Sequence, residues 1–176
     1  MSTEATPADG IPHTVSALIR REGTILLVQE QAAGDAAPTW MLPGGQVERD
    51  ETLEGALRRE IREETGLGIT GAPSPAFAVE IEASLEDLAG TWRAVTYACN
   101  TEGDVAPADP DGLILSAEWV PIDDAFQHLE QVEWYDSGPL RAFLSGDAPS
   151  GSRYRYRLQG RRGAVVRSVV EVVEDA

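Results

Sequence analysis

This chain has one cysteine, Cys99, in 176 residues. No internal disulfide is possible, and a reducing compartment, the cytoplasm, is the expected location. Positive charge is also scarce: 14 Lys and Arg stand against 30 Asp and Glu, a net charge of −16. A long nucleic-acid backbone needs a basic surface, so a nucleic-acid polymer is not an expected partner. A nucleotide carried on a metal ion remains allowed, because the metal supplies the positive charge. No apolar run reaches the roughly 20 residues that cross a bilayer, so no membrane partner is expected. The start, MSTEATPADG, is polar and acidic, which is not the basic-then-apolar pattern of a signal peptide. Repeats and low-complexity tracts are missing too. What is there is a chain that is 42% hydrophobic, enough for one domain with a core.

Residues 1–11 read as a loose tail. His13–Ile19 and Thr24–Gln29 are rich in β-branched and aliphatic residues and meet at the turn signal Arg21-Glu22-Gly23, which predicts a hairpin. Gln31–Thr39 is a loop, Trp40-Met41-Leu42 a short extended piece, and Pro43-Gly44-Gly45 a turn. Thr52–Thr65 is the strongest helix, with Asp50 or Thr52 to cap its start and Gly66 at its end. Phe77–Glu82 and Trp92–Asn100 read as strands, followed by an acidic loop at Thr101–Gly112. Leu113–Val120 is a strand; Ile122–Leu129 and Pro139–Leu144 are short helices. Gly146–Ser152 is a joint, and Tyr154–Leu158 with Ala164–Val173 a closing hairpin. The expected organisation is a tail (1–11), one domain (12–146) and a hairpin extension (147–176) packed on that domain. The mixed order of strands and helices predicts an α/β sandwich rather than a doubly wound parallel sheet.

Chemistry gathers in Gly45–Leu67, GQVERDETLEGALRREIREETGL, which holds seven carboxylates. Glu60, Glu63 and Glu64 fall at i, i+3 and i+4, which places them on one helix face. Like charges so placed repel each other, whereas a hard divalent cation such as Mg²⁺ takes a few carboxylates together with substrate phosphates. On the helical projection Leu53, Leu57 and Ile61 form the apolar stripe. Glu60 and Glu64 lie at its edge and Glu63 just beyond, while Arg58 and Arg62 point to solvent. Arg59 shares the acidic side and can brace a carboxylate through its fork of N–H donors. Glu51 can reach back to it.

Gly45, Glu51 and the run Arg59-Glu60-Ile61-Arg62-Glu63-Glu64-Thr65-Gly66-Leu67 resemble the Nudix box at every defined position. Trp40-Met41-Leu42-Pro43-Gly44-Gly45 looks like its usual lead-in, and weaker flanking patterns extend the resemblance over Val15–Asp124. The resemblance implies an α/β/α sandwich with a mixed β-sheet and a loop–helix–loop motif. It implies a pyrophosphohydrolase that cleaves a phosphoanhydride in a nucleoside diphosphate linked to another group, with Mg²⁺ or Mn²⁺. Carried over, Glu60, Glu63, Glu64 and the carbonyl of Gly44 would hold metal, and Arg59 and Glu51 would orient the carboxylates. The proton acceptor is left open among Glu60, Glu63 and the carboxylates Glu102, Asp109, Asp111 and Glu118. Because the family often pairs through a sheet or a swapped strand, a homodimer is among its implications.

Other readings stand beside this one. A silent nucleotide-binding or regulatory module on the same fold would usually lose carboxylates that this chain keeps. An isomerase on that scaffold uses a cysteine near the start of the domain, and Cys99 stands elsewhere. The stretch Glu80–Leu88 has neither the proline of ADP-ribose enzymes nor the tyrosine of diadenosine-polyphosphate enzymes, which leaves a small nucleotide without naming it. Trp40 reads as core before base-stacking; His13 and His128 have no partner pattern; Cys99 reads as a buried small hydrophobe. The acidic loop is either solvated or a cover for the site. Arg153, Arg155 and Arg157, alternating with Tyr154 and Tyr156, make either a phosphate-gripping strand or an edge strand with one charged face.

Overall fold

The computed structural model describes residues 11, 13–31, 37–85, 89–161 and 163–173. The expected tail lies outside these residues except for Ile11. Two antiparallel strands, β1 (His13–Arg21) and β2 (Thr24–Glu30), meet at Glu22 and Gly23, both with positive φ, as a tight hairpin turn requires. They pair only at Arg20–Ile25 and Arg21–Thr24, then diverge. This splaying lets β1 lie between two further strands.

One is β4 (Gly44–Gln46), which follows the short β3 (Thr39–Met41). The expected turn at Pro43-Gly44-Gly45 is therefore only a bend at Pro43. Gly44 and Gly45 themselves pair with Ser16 and Val15 of β1. The helix α1 (Leu53–Thr65) comes next. The Thr52 hydroxyl accepts from the Gly55 N–H at 3.0 Å, and Gly66 closes the helix in the left-handed region at φ 77°.

β5 (Gly68–Leu85) and β6 (Ala89–Glu102) are much longer than the expected strands. The first part of β5 hides its nature behind Pro73 and Pro75. Register shifts fall at Thr70/Ser74 and Pro75/Phe77, the irregular places where a sheet tolerates proline. Then follow β7 (Ile114–Pro121), α2 (Ile122–Leu129), α3 (Gly138–Ser145), β8 (Ser152–Arg161) and β9 (Ala164–Val173).

Among the described residues nine strands join in one mixed sheet of order β3-β2-β1-β6-β5-β8-β9, with β4 on β1 and β7 on β2. β1 runs parallel to β6, and β8 parallel to β5. On one face α1 seats Leu53, Leu57 and Ile61 against Val15, Ala17, Ile19, Tyr97 and Cys99. On the other, Phe126 and Leu129 of α2 and Leu140 of α3 pack on Leu18, Leu27 and Phe77. The result is an α/β fold with a mixed sheet between helices. Among the described residues no helix is long and apolar enough to cross a membrane.

The strand of alternating Arg and Tyr, β8, is not an edge strand. It lies between β5 and β9, and Arg155 pairs with Glu80 at 2.9 Å while Arg157 pairs with Glu82 at 3.1 Å. Cross-strand neutralisation accounts for these arginines.

Candidate active site

The site is built where α1 meets β4. Leu53, Leu57 and Ile61 are almost wholly buried, and this seating turns the edge of the apolar stripe toward the two glycines. Glu64 is only 9% exposed, and its Oε2 accepts from the Gly44 N–H at 2.7 Å. Glu60 lies over Gly45 so closely that a Cβ there would come within 2.5 Å of its Oε1. Gly44 and Gly45 thus form a floor with a carboxylate pressed on each, and at Gly44 the β1 backbone leaves no room for a side chain.

Arg59 organises the other acidic groups. Its Nε and Nη2 donate to the two oxygens of Glu51 at 3.1 and 2.9 Å, and Nη1 donates to Glu60 at 2.7 Å. Glu63 stands 3.5 Å from Nη1 and is more exposed than Glu60. Arg59 also donates to the Gln46 carbonyl at 3.1 Å, which ties α1 back to β4. Arg58 does not point to solvent as the projection suggested. It donates to the carbonyls of Ile69 and Gly71 and pairs with Glu54, latching α1 to the start of β5. Arg62 is exposed.

Electrostatics follow from this burial. Desolvation pushes the Glu64 carboxyl up to about 8; the Gly44 N–H opposes the shift, and the charges of Glu60, Glu30 and Asp109 add to it. Burial also raises Glu60, against the pull of Arg59. Arg59 holds Glu51 below the usual carboxylate range. Three partly exposed carboxylates thus gather around the buried Glu64, and each disfavours its charged form. Among the described residues no three His, Cys, Asp or Glu side chains are grouped so as to hold a metal ion. Glu60 is turned to Arg59 and Glu64 to the Gly44 amide.

The remaining candidates divide by position. The acidic loop is not merely solvated, since Ala106 and Ala108 donate to carbonyls of Thr65 and Glu63 at the end of α1. Asp109 in that loop stands near enough to raise Glu64, yet it accepts from the N–H groups of Asp111, Leu113 and Ile114, which hold its own carboxyl low despite some burial. Glu118 is exposed and alternates with Ala117 and Trp119, which pack on the α1 side, so it points to the opposite face. Glu102 and Asp111 are exposed on the loop flanks. Glu30, at the end of β2, was not singled out from the sequence. The period-2 run Leu26, Val28, Glu30 was the available signal, for it places Glu30 on the α1 face. Trp40 packs against the core beside α2, with its ring 5.5 Å from that of His128. His13 and Cys99 are buried.

Comparison with known proteins shows the family. The model of the NUDIX domain matches residues 11–143. A Caenorhabditis elegans protein named as a nudix hydrolase is 33% identical over 132 residues, 73% of this chain and 34% of that protein. The CTP pyrophosphohydrolase of Escherichia coli K12 is 50% identical over 56 residues, 32% of this chain and 42% of that enzyme. The chain therefore spans less than half the length of these two relatives. The solution structure of the E. coli ORF135 protein superposes with a TM-score of 0.62 at 27% identity, covering 81% of this chain and 96% of that one. The NUDIX domain fills most of the chain, and the carboxylate helix lies within it: this protein belongs to the Nudix hydrolase family.

Proposed function

We propose that this protein hydrolyses a phosphoanhydride in a nucleoside diphosphate linked to another group, or in a nucleoside triphosphate, with Mg²⁺ or Mn²⁺. The observation that carries the reading is Glu64. A chain gains nothing in stability from a buried carboxylate surrounded by Glu60, Glu30 and Asp109. It gains a seat for a hard cation, whose charge such oxygens match. Glu60, Glu63, Glu64 and the Gly44 carbonyl are the donors that fit it. When bound, the metal neutralises the diphosphate oxygens and lowers the pKa of water.

The chain's own residues do the rest. Arg59 clamps Glu51 and Glu60 in place, and the Gly44 N–H orients Glu64. Outer partners of this kind fix the direction in which ligand oxygens point. In the reaction a water oxygen bonds to phosphorus, the bridging P–O bond breaks, and a carboxylate takes the water's proton. Asp109 is a poor acceptor, because backbone N–H groups stabilise its ionised form. Glu118 faces away. Glu60 and Glu63 remain on the helix for this role. The lone buried Cys99 and the acidic balance fit a cytoplasmic enzyme of small nucleotides.

The test is a phosphate-release screen over nucleoside triphosphates, sugar nucleotides, dinucleoside polyphosphates, NADH and CoA, with CTP first because of the relative named above. EDTA is expected to abolish turnover, and Mg²⁺ or Mn²⁺ to restore it. Activity that resists EDTA would overturn the metal site. No turnover of any compound with metal present would favour a binding module.

A further inference from the structure

The end of an α-helix leaves four carbonyls without helical partners. In α1 the Arg62 carbonyl accepts from the Gly66 N–H at 3.0 Å, but those of Glu63 and Thr65 are met from a distance. Ala108 N–H donates to Glu63 at 2.8 Å and Ala106 N–H to Thr65 at 2.9 Å. The loop approaches so closely that a Cβ on Gly66 would meet the Ala106 backbone at 2.5 Å. The turn that carries Glu63 and Glu64 is therefore closed by the loop.

What gives the loop its shape is Asp109. Its Oδ2 accepts from Leu113 N–H at 2.7 Å and Ile114 N–H at 3.0 Å, and its Oδ1 from Asp111 N–H at 3.1 Å. Just beyond, the Leu113 carbonyl accepts from Gln31 N–H at 3.0 Å, and β7 begins with Ile114 opposite Glu30. One side chain thus joins the part of the loop bound to α1 with the part bound to β2.

We propose that Asp109 is a positioning residue, which holds loop 103–112 against the last turn of α1 and thereby seats Glu63 and Glu64. Its effect on turnover rests on the hydrolase reading above; its effect on the loop does not. The Asp109 carboxylate accepts from backbone N–H groups of its own loop, so it positions the helix turn through backbone.

Two variants separate this role from that of proton acceptor. Asp109→Ala removes every acceptor, and kcat is expected to fall by about 10- to 100-fold, as when an outer partner of a metal ligand is lost. Asp109→Asn keeps a carbonyl oxygen with two lone pairs, enough for Leu113 and Ile114. It is expected to keep most of kcat and to retain an acidic limb in the pH–rate profile. Amide hydrogen exchange gives a readout that needs no activity. Ala106, Ala108, Leu113 and Ile114 should exchange faster in Asp109→Ala and stay protected in Asp109→Asn. Wild-type exchange in Asp109→Ala would overturn the proposal. So would an Asp109→Asn as slow as Asp109→Ala with its acidic limb lost, since that is the behaviour of a base. If the wild type turns over nothing in the screen, the hydrolase reading falls, and the exchange data still decide whether Asp109 holds the loop.

Discussion

Glu64→Gln is expected to lower kcat by several orders of magnitude while making the metal-free protein more stable at alkaline pH. The amide keeps the size of the side chain and an oxygen to accept the Gly44 N–H, so the fold loses little. It removes the negative oxygen at the centre of the carboxylate group. The sign on stability follows from the raised carboxyl. Folded, Glu64 ionises at about 8, against an ordinary value of 4.5. Below 4.5 both states are protonated and nothing is lost. As pH rises from 4.5 to about 8 the unfolded chain ionises freely and the folded one does not, so wild-type stability declines over that window. Glutamine has no such term. In EDTA the variant's advantage in Tm should therefore grow between pH 5 and pH 9, by about 2–4 °C for each kcal/mol gained. Near-normal turnover would sink the metal-site reading. A Tm difference that is the same at both pH values would sink the assignment of Glu64 as a buried, strained carboxyl.

Gly44→Ala and Gly45→Ala are expected to fail in opposite ways. At Gly44, φ is 148°, and a Cβ would run into the Val15 carbonyl oxygen and within 2.6 Å of the Ser16 Cα. Both atoms belong to the backbone of β1, which is paired on both sides by β4 and β6 and cannot yield. The loss should be about 4 kcal/mol or more, among the largest for a single substitution, in a domain whose total stability is of order 5–15 kcal/mol. At Gly45 the added Cβ meets only the Glu60 carboxylate, the far end of a flexible side chain. Glu60 can swing away, so the fold should survive with a modest fall in Tm while kcat drops by about 100-fold. Urea unfolding and turnover measured on both variants check the contrast. Equal stability loss at the two positions would mean that Glu60 does not rest on Gly45.

The helix was the most legible part of the chain because its information is local. A period of 3.6 sorts Leu53, Leu57 and Ile61 from Glu60, Glu63 and Glu64, and the caps Thr52 and Gly66 are chosen by backbone geometry at single positions. Arg58 was misread for the same reason. A projection shows the side of the helix but not the strand beyond it, and the carbonyls of Ile69 and Gly71 belong to β5. The first half of β5 escaped because proline and glycine break the alternation by which a strand is read. The place of β8 escaped because parallel pairing with β5 leaves no turn between the two.

By itself, then, the sequence determined the local pattern: which carboxylates share one face of a helix, and which family that pattern matches. Tertiary structure decided the electrostatics. Glu64 is perturbed because β4 supplies a floor, β2 brings Glu30 and a distant loop brings Asp109, all around one buried oxygen pair. Spacing along the chain encodes neighbours one turn apart. How much water is left around them depends on segments that meet only when the sheet and its helices close over the core.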